Sequence, residues 1–340
     1  MNKNKIVGRA QEINLLEGIL NSPRPELLAV YGRRRVGKSF LITEFFGSRS
    51  LFFEIVGAKK ESENIKLKRF HKILRETFGP LPSDSKKSDS KRTNDWDGAF
   101  ETLLEVITSM TKKQKQQKIV LFFDELPWLS EKKSRFLTTL EYYWNKYFSR
   151  SEYKNVKIVV CGSSASWMIK KVINNKAGLH NRLTQTIRLQ PFTLSEVELY
   201  FKSKNIHFSR KNLIDLYMTI GGVPKYLTYI TGPLSISEIT EQLIFDKHGP
   251  LYEEFDNLYS SLFDDYHKHL AVIKALAEHH YGLSLSKLLA VAHLPVGGSS
   301  LSIIRELEAS GFIMTILLNK KEKKETAYRL VDEYSLFYLK

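Results

Sequence analysis

The chain has 340 residues, 42% hydrophobic and 12% aromatic, and a net charge of +15. That length and composition belong to a soluble globular protein with room for two or three domains. No apolar run approaches the ~20 residues of a membrane span, the start Met1-Asn2-Lys3-Asn4-Lys5 has no signal-peptide core, and the single Cys161 excludes an internal disulfide, so a cytoplasmic protein is expected.

Gly8-Arg9-Ala10-Gln11-Glu12 opens a helix in which Ile13, Leu16, Ile19 and Leu20 recur at helical spacing, and Pro23 and Pro25 end it. The apolar run 27–31 then reads as a strand. It leads into Gly32-Arg33-Arg34-Arg35-Val36-Gly37-Lys38-Ser39, a complete G-x-x-x-x-G-K-[ST] loop, with Phe40 in the following helix 38–46. The glycines let backbone N–H groups turn toward phosphate oxygens, Lys38 can reach the β- and γ-phosphates, and the Ser39 hydroxyl can ligate Mg²⁺. A nucleoside triphosphate is therefore the expected ligand.

Strand 51–56 and helices 61–78 and 96–110 come next. Residues 119–123, Ile119-Val120-Leu121-Phe122-Phe123, read as a buried strand ending in Asp124-Glu125. This is a Walker B pattern, in which Asp124 holds Mg²⁺ and Glu125 orients and deprotonates the attacking water. A helix N-cap is the alternative use of that acidic pair. Helix 134–148, strand 156–161 with a buried Cys161, and strand 184–189 complete an α/β alternation that requires a parallel sheet. From Pro191 helical segments such as 194–202 and 212–220 take over. Helices 267–279, 285–293 and 299–310 follow, and then two β-rich stretches around Lys320-Lys321-Glu322-Lys323-Lys324. Three helices and a hairpin are the plan of a winged helix. The expected division is a P-loop core over 1–190, a helical lid over 191–265 and a winged-helix domain over 266–340.

The charge is uneven: Lys and Arg exceed Asp and Glu by ten in residues 1–118, by two in 119–265 and by three in 266–340. Much of the first excess comes from the loop arginines and residues 59–92, where the low-complexity stretch 83–92 reads as a solvated insertion. A solubilising surface is the expected role, with a basic face for phosphate backbones as the alternative.

With Val7-Gly8-Arg9-Ala10-Gln11-Glu12, the phosphate loop, Phe122-Phe123-Asp124-Glu125, Cys161-Gly162-Ser163-Ser164 and Gly221-Gly222-Val223-Pro224 in hand, the chain resembles the prokaryotic and archaeal STAND-type ATPases, a branch of the AAA+ and Orc/Cdc6-related proteins. The resemblance implies that Val7, Gly8, Arg9 and Pro224 surround adenine, that Ser163 or Ser164 senses the γ-phosphate, and that Arg182 faces phosphate; Asn181 stands where the family has glycine before that arginine. Capping by Ser164, and Gly221-Gly222 as a simple helix end, are the alternatives for those positions. Relatives with this layout often continue into a nuclease-like domain, whereas this sequence stops at Tyr334-Ser335-Leu336-Phe337-Tyr338-Leu339-Lys340, so a short protein or a fragment is expected.

The leading functional expectation is a Mg²⁺-dependent ATPase switch acting on an unknown protein partner, with oligomerisation left open. A GTPase is disfavoured because Asn175-Lys176-Ala177-Gly178 lacks the final Asp of a guanine reader. The other class is a winged-helix DNA-binding protein with ATP as a structural ligand, but helix 299–310 offers only Arg305 beside Glu306 and Glu308, around an apolar face of Leu301, Ile304 and Leu307.

Overall fold

The computed structural model describes residues 6–81, 94–131, 133–175, 179, 181–232, 234–263, 265–318 and 325–340. The low-complexity stretch and the lysine run at 320–324 lie outside them. Helix α1 (Ala10–Asn21) precedes β1 (Glu26–Tyr31), α2 (Lys38–Phe46), β2 (Leu51–Val56), α3 (Glu63–Phe78), α4 (Trp96–Lys113) and β3 (Ile119–Asp124). A short α5 (Leu126–Leu129), then α6 (Phe136–Tyr143), β4 (Val156–Gly162), α7 (Ala165–Met168) and β5 (Gln185–Arg188) complete the first half. The expected helix 134–148 is regular only to Tyr143 and continues as a π-helical turn, Trp144–Phe148.

The five strands form one parallel sheet in the order β2-β3-β4-β1-β5. β3 and β4 are buried along their whole length and β1 along all but its last residue, as a parallel sheet covered on both faces demands. Alternate residues serve opposite faces: Leu121 and Phe123 pack with the aromatic residues of α3, α4 and α6, whereas Val120 and Phe122 pack with α1 and α2. On the first face Trp96 and Phe136 meet edge to face at 4.7 Å. Lys157 is the polar exception in β4. Its buried ammonium donates to the carbonyls of Ser22 (2.9 Å), Arg24 (2.5 Å) and Lys154 (2.8 Å), and burial pulls its pKa down to about 8.

After β5 come α8 (Leu194–Ser203), α9 (Arg210–Ile220), α10 (Pro224–Leu227), α11 (Ile236–Thr240), α12 (Glu254–Leu262) and α13 (Tyr266–Ala277). They are followed by β6 (Leu283–Ser284), α14 (Leu285–Val291), α15 (Gly298–Ala309), β7 (Ile313–Leu318), β8 (Glu325–Leu330) and α16 (Glu333–Tyr338). The last three strands pair antiparallel in the order β6-β8-β7. Helix α8 starts in a capping box, with Thr193 and Glu196 each accepting the other's backbone N–H.

One apolar cluster runs from Phe192 to Tyr334, so the helical region and the small sheet share a core that continues across position 265. The aromatic end of the chain closes it. Helix α16 packs on α9, Tyr334 donates to the carbonyl of Leu251 at 2.8 Å, and the Tyr259 and Ser335 hydroxyls meet at 2.7 Å. The chain enters and leaves the α8–α9 pair at one crossing, where Phe192 N donates to Gly222 O at 2.6 Å; a Cβ on Gly222 would lie 1.8 Å from Phe192 O. Among the described residues no helix is long and apolar enough to cross a membrane.

Because Tyr334 is fully buried between the helical region and the chain's end, Tyr334→Ala should cost about 3–5 kcal/mol of stability, the range for truncating a core aromatic. Urea unfolding measures this; a loss below about 1 kcal/mol would mean that the two regions do not depend on a common core.

Candidate nucleotide-binding site

Ligands of open parallel sheets lie outside the carboxyl ends of the strands. Since β4 sits between β1 and β3, the loop after β1, the acidic pair ending β3 and Ser163 after β4 arrive at that edge side by side. The phosphate loop needs unusual backbone. Gly37 has φ 89°, Gly32 has φ 146°, and a Cβ on Gly32 would lie 2.3 Å from Leu189 O. Arg35 holds φ 70° without glycine's freedom. The turn delivers the chain into α2, whose first N–H groups and dipole favour an anion.

Lys38 is 6% exposed, and its ammonium donates to the carbonyls of Gly32 (2.9 Å) and Arg33 (2.8 Å). A β,γ-phosphate would take over those bonds. Ser39 Oγ donates to Asp124 Oδ2 at 2.5 Å, while Asp124 Oδ1 accepts the Glu125 N–H at 2.8 Å. Glu125, at φ 47°, begins α5 but makes no side-chain cap; its Oε2 instead accepts Ser163 Oγ (2.8 Å) and Ser163 N (3.3 Å). The serine of this pair that meets the catalytic candidate is thus Ser163, and Ser164 takes the N-cap position of α7 without a side-chain bond.

These groups open onto a cleft of about 1070 Å³ between the sheet edge and the helical region. Val7 and Arg9 line it, as do Arg35, Val36, Gly37, Lys38, Ser39, Phe40, Glu125, Ser163 and Pro224. Gly8 and Asp124 are not in its wall but are next in the chain to residues that are, and Gly32, also outside it, accepts the bond of the wall residue Lys38. Arg182 is not in the wall either, and its charge acts on Glu141. Arg9 is clamped: its N–H donates to Glu196 Oε1 (2.9 Å), Nη2 donates to Val36 O (3.1 Å), and the guanidinium lies 4.5 Å over the Phe192 ring. Gly221 both ends α9, at φ 66°, and leads into the turn that presents Pro224.

Several wall and supporting residues carry no local sequence signal. Phe192 and Tyr200 enter the wall from the helical region, and the half-buried Glu54 on β2 has its pKa raised by burial and by the Asp124 charge, while accepting Thr43 Oγ1 at 3.3 Å. Cys161 is fully buried beneath the acidic pair; burial, then the charge of Asp124, raises its thiol pKa well above the ordinary range, which agrees with an unreactive side chain.

Among the described residues most of the basic side chains of the loop and of the segment from residue 59 are exposed, Arg34, Lys59, Lys60, Lys68 and Lys72 among them, but the solubilising role expected for all of them needs correction at Arg33 and Lys66. Arg33 is 3% exposed and ion-paired with Asp332, and Arg35 Nη2 lies 2.7 Å from Glu254 Oε2. Lys66, within the basic segment, is 2% exposed and donates to Trp128 O (2.5 Å) and Glu131 Oε2 (3.1 Å). Long aliphatic stems and fixed partners let such side chains sit inside the protein, which a charge count does not register.

A family model described as an ATPase domain predominantly from Archaea matches residues 6–230. The chain belongs to this family. An uncharacterized protein of Methanocaldococcus jannaschii is 25% identical over 228 residues; the match spans 67% of this chain but only 44% of that relative. Among solved structures, the Walker-type ATPase of Pyrococcus abyssi superposes with a TM-score of 0.66 at 18% identity, covering 99% of this chain and 97% of the other. The Aeropyrum pernix ORC2 protein, in ADPNP and ADP complexes, gives 0.58 at 12% identity, with 99% and 95% covered. At such identities the superpositions show a shared fold, that of AAA+-related P-loop ATPases.

For this ATPase domain, Lys38→Ala should weaken ATP binding by about 10- to 100-fold, the worth of a charge-assisted contact of roughly 1.5–3 kcal/mol. Isothermal titration against the parent tests it, and unchanged affinity would remove Lys38 from the site.

Proposed function

We propose that the protein is a Mg²⁺-dependent ATPase that works as a conformational switch. The observation that carries the reading is the contact of Ser39 with Asp124 at 2.5 Å, next to the loop lysine and to a Glu125 held by Ser163. A hydroxyl and a buried carboxylate at the same point form a hard oxygen set suited to Mg²⁺, which takes few protein ligands and completes its shell with phosphate and water. Ser39 and Asp124 would hold the ion, which when bound neutralises charge on the β- and γ-phosphates.

The chain's own groups supply the rest. Loop N–H groups and Lys38 cradle the phosphates and balance the charge that builds on them. Glu125 accepts the proton of the attacking water, and Ser163 keeps its carboxylate aimed at the cleft. Adenine fits between Val7, Arg9 and Phe192 on one side and Pro224 on the other, so ATP touches both the sheet edge and the helical region. Binding across that joint favours the closed arrangement, and loss of the γ-phosphate weakens it. The object of the switch would be a protein partner in the cytoplasm.

The DNA-binding reading is less well supported. The helix that would read DNA, α15, packs on α7, and Arg188 Nη2 donates to the carbonyls of Glu308 (2.8 Å) and Ala309 (3.1 Å) at its end.

Glu125→Gln should retain ATP yet lose hydrolysis by about 100-fold or more, since the amide keeps the shape but cannot accept a proton. Single-turnover phosphate release measures it; hydrolysis at the parent rate would place the base elsewhere. ATP should also slow hydrogen exchange at residues 221–227 more than in α15. Equal exchange with and without ATP would mean that packing alone holds the joint, leaving a nucleotide site without a switch.

A further inference from the structure

Two of the three consecutive loop arginines pair with carboxylates from the C-terminal half of the chain, Arg33 buried there and Arg35 at the cleft wall. Arg33 is 3% exposed, its Nη1 ion-paired with Asp332 and its guanidinium 4.9 Å over the Phe312 ring. Asp332 is itself fixed: Oδ2 accepts Ser335 N at 3.0 Å and Ser335 Oγ at 2.5 Å, capping α16. Arg35 Nη2 lies 2.7 Å from Glu254 Oε2, and Tyr226 donates to Oε1 of the same carboxylate at 2.8 Å. The Arg35 carbonyl accepts Lys225 N at 3.3 Å, so the strained residue of the loop is held at its side chain and its backbone.

A loop with a non-glycine residue at φ 70° stores strain and keeps its shape only when its surroundings over-determine it. Here the surroundings come from positions 254 and 332, far along the chain from the loop. Neither Asp332 nor Glu254 lines the cleft. The Arg33 pair is single-pronged, and among the described residues Nε and Nη2 of Arg33 find no hydrogen-bond partner. A buried pair of that kind specifies an arrangement more than it stabilises one.

We propose that Asp332 and Glu254 are positioning residues of the phosphate loop: by anchoring Arg33 and Arg35 they set the loop backbone in its ATP-binding shape, and ATP binding in turn tightens the α12–α16 end of the molecule. The inference rests on ATP binding at the cleft described above. Coupling of this kind is reciprocal, and its usual size is about 5- to 150-fold in affinity.

The test is ATP affinity by titration calorimetry, at a temperature where circular dichroism shows each variant folded. Glu254→Gln and Asp332→Asn should each weaken ATP by about fivefold or more, although neither touches the cleft. Should Asp332→Asn fail to fold because Arg33 is left as an unpaired buried charge, Arg33→Met/Asp332→Asn removes both charges and should fold while showing the same loss. Tyr334→Phe, which removes a buried hydroxyl from the same core without touching an arginine, should bind ATP as the parent does. In the parent, ATP should slow exchange of the Ser335 amide, and that slowing should vanish in Arg33→Met/Asp332→Asn. If the parent binds ATP and the Glu254 and Asp332 variants match it within about twofold, the positioning role is wrong. A Tyr334→Phe loss equal to theirs would likewise reduce the effect to general stability. A parent that binds no ATP would overturn the functional reading instead.

Discussion

The alignment of parallel strands is the constraint on which the site depends. Every strand of the main sheet points the same way, so every strand end that carries chemistry emerges at the same edge, and the order β2-β3-β4-β1-β5 decides which ends are neighbours. Placing β4 between the lysine-bearing loop and the acidic pair lets Ser163 hold Glu125 while Asp124 meets Ser39. Of these residues only Glu125 takes an unusual backbone, at φ 47°; the pairing registers of the buried strands set the heights at which the side chains meet.

The second half of the molecule is built differently. Its helices are mostly short, and they are unified by a single aromatic-rich cluster that includes the last helix. Besides the packing of α15 on α7, this half meets the first through polar groups, among them Arg9 with Glu196, Arg33 with Asp332, Arg35 with Glu254 and Arg188 with the carbonyls that end α15. Charged pairs at such a boundary favour one arrangement over its neighbours through geometry, whereas an oily interface would tolerate sliding. The nucleotide cleft opens along this polar boundary, so the ligand and the ion pairs act on the same joint.

How much of this could be read in the sequence varies with the range of the interaction. The strands, α2 and the phosphate loop were legible because their signals are local: apolar runs of strand length, paired glycines and a G-K-S end. The parallel sheet and the AAA+-related family followed from them. The fate of the loop arginines was not legible, since nothing near Arg33 announces a partner as remote as Asp332. Ser163 and Ser164 were indistinguishable in sequence, and only the height of β4 beside β3 separates them. The helix expected over 134–148 ends where expected, but its last turn is π-helical, which an apolar periodicity alone does not distinguish from a regular helix. Nothing in the sequence around Tyr334 and Tyr338 announces that the first is fully buried in the core and the second stacks on Phe255.

The crossing of Phe192 and Gly222 staples the entry and exit of the α8–α9 pair together. Both chain connections of that pair pass through one hydrogen bond, with the two backbones closer than any side chain at position 222 would permit. The pair is held elsewhere as well, by α16 on α9 and by the Arg9 N–H on Glu196. Any side chain at position 222 would force the two connections apart, and Pro224 in the cleft wall, two residues on, would be disturbed with them.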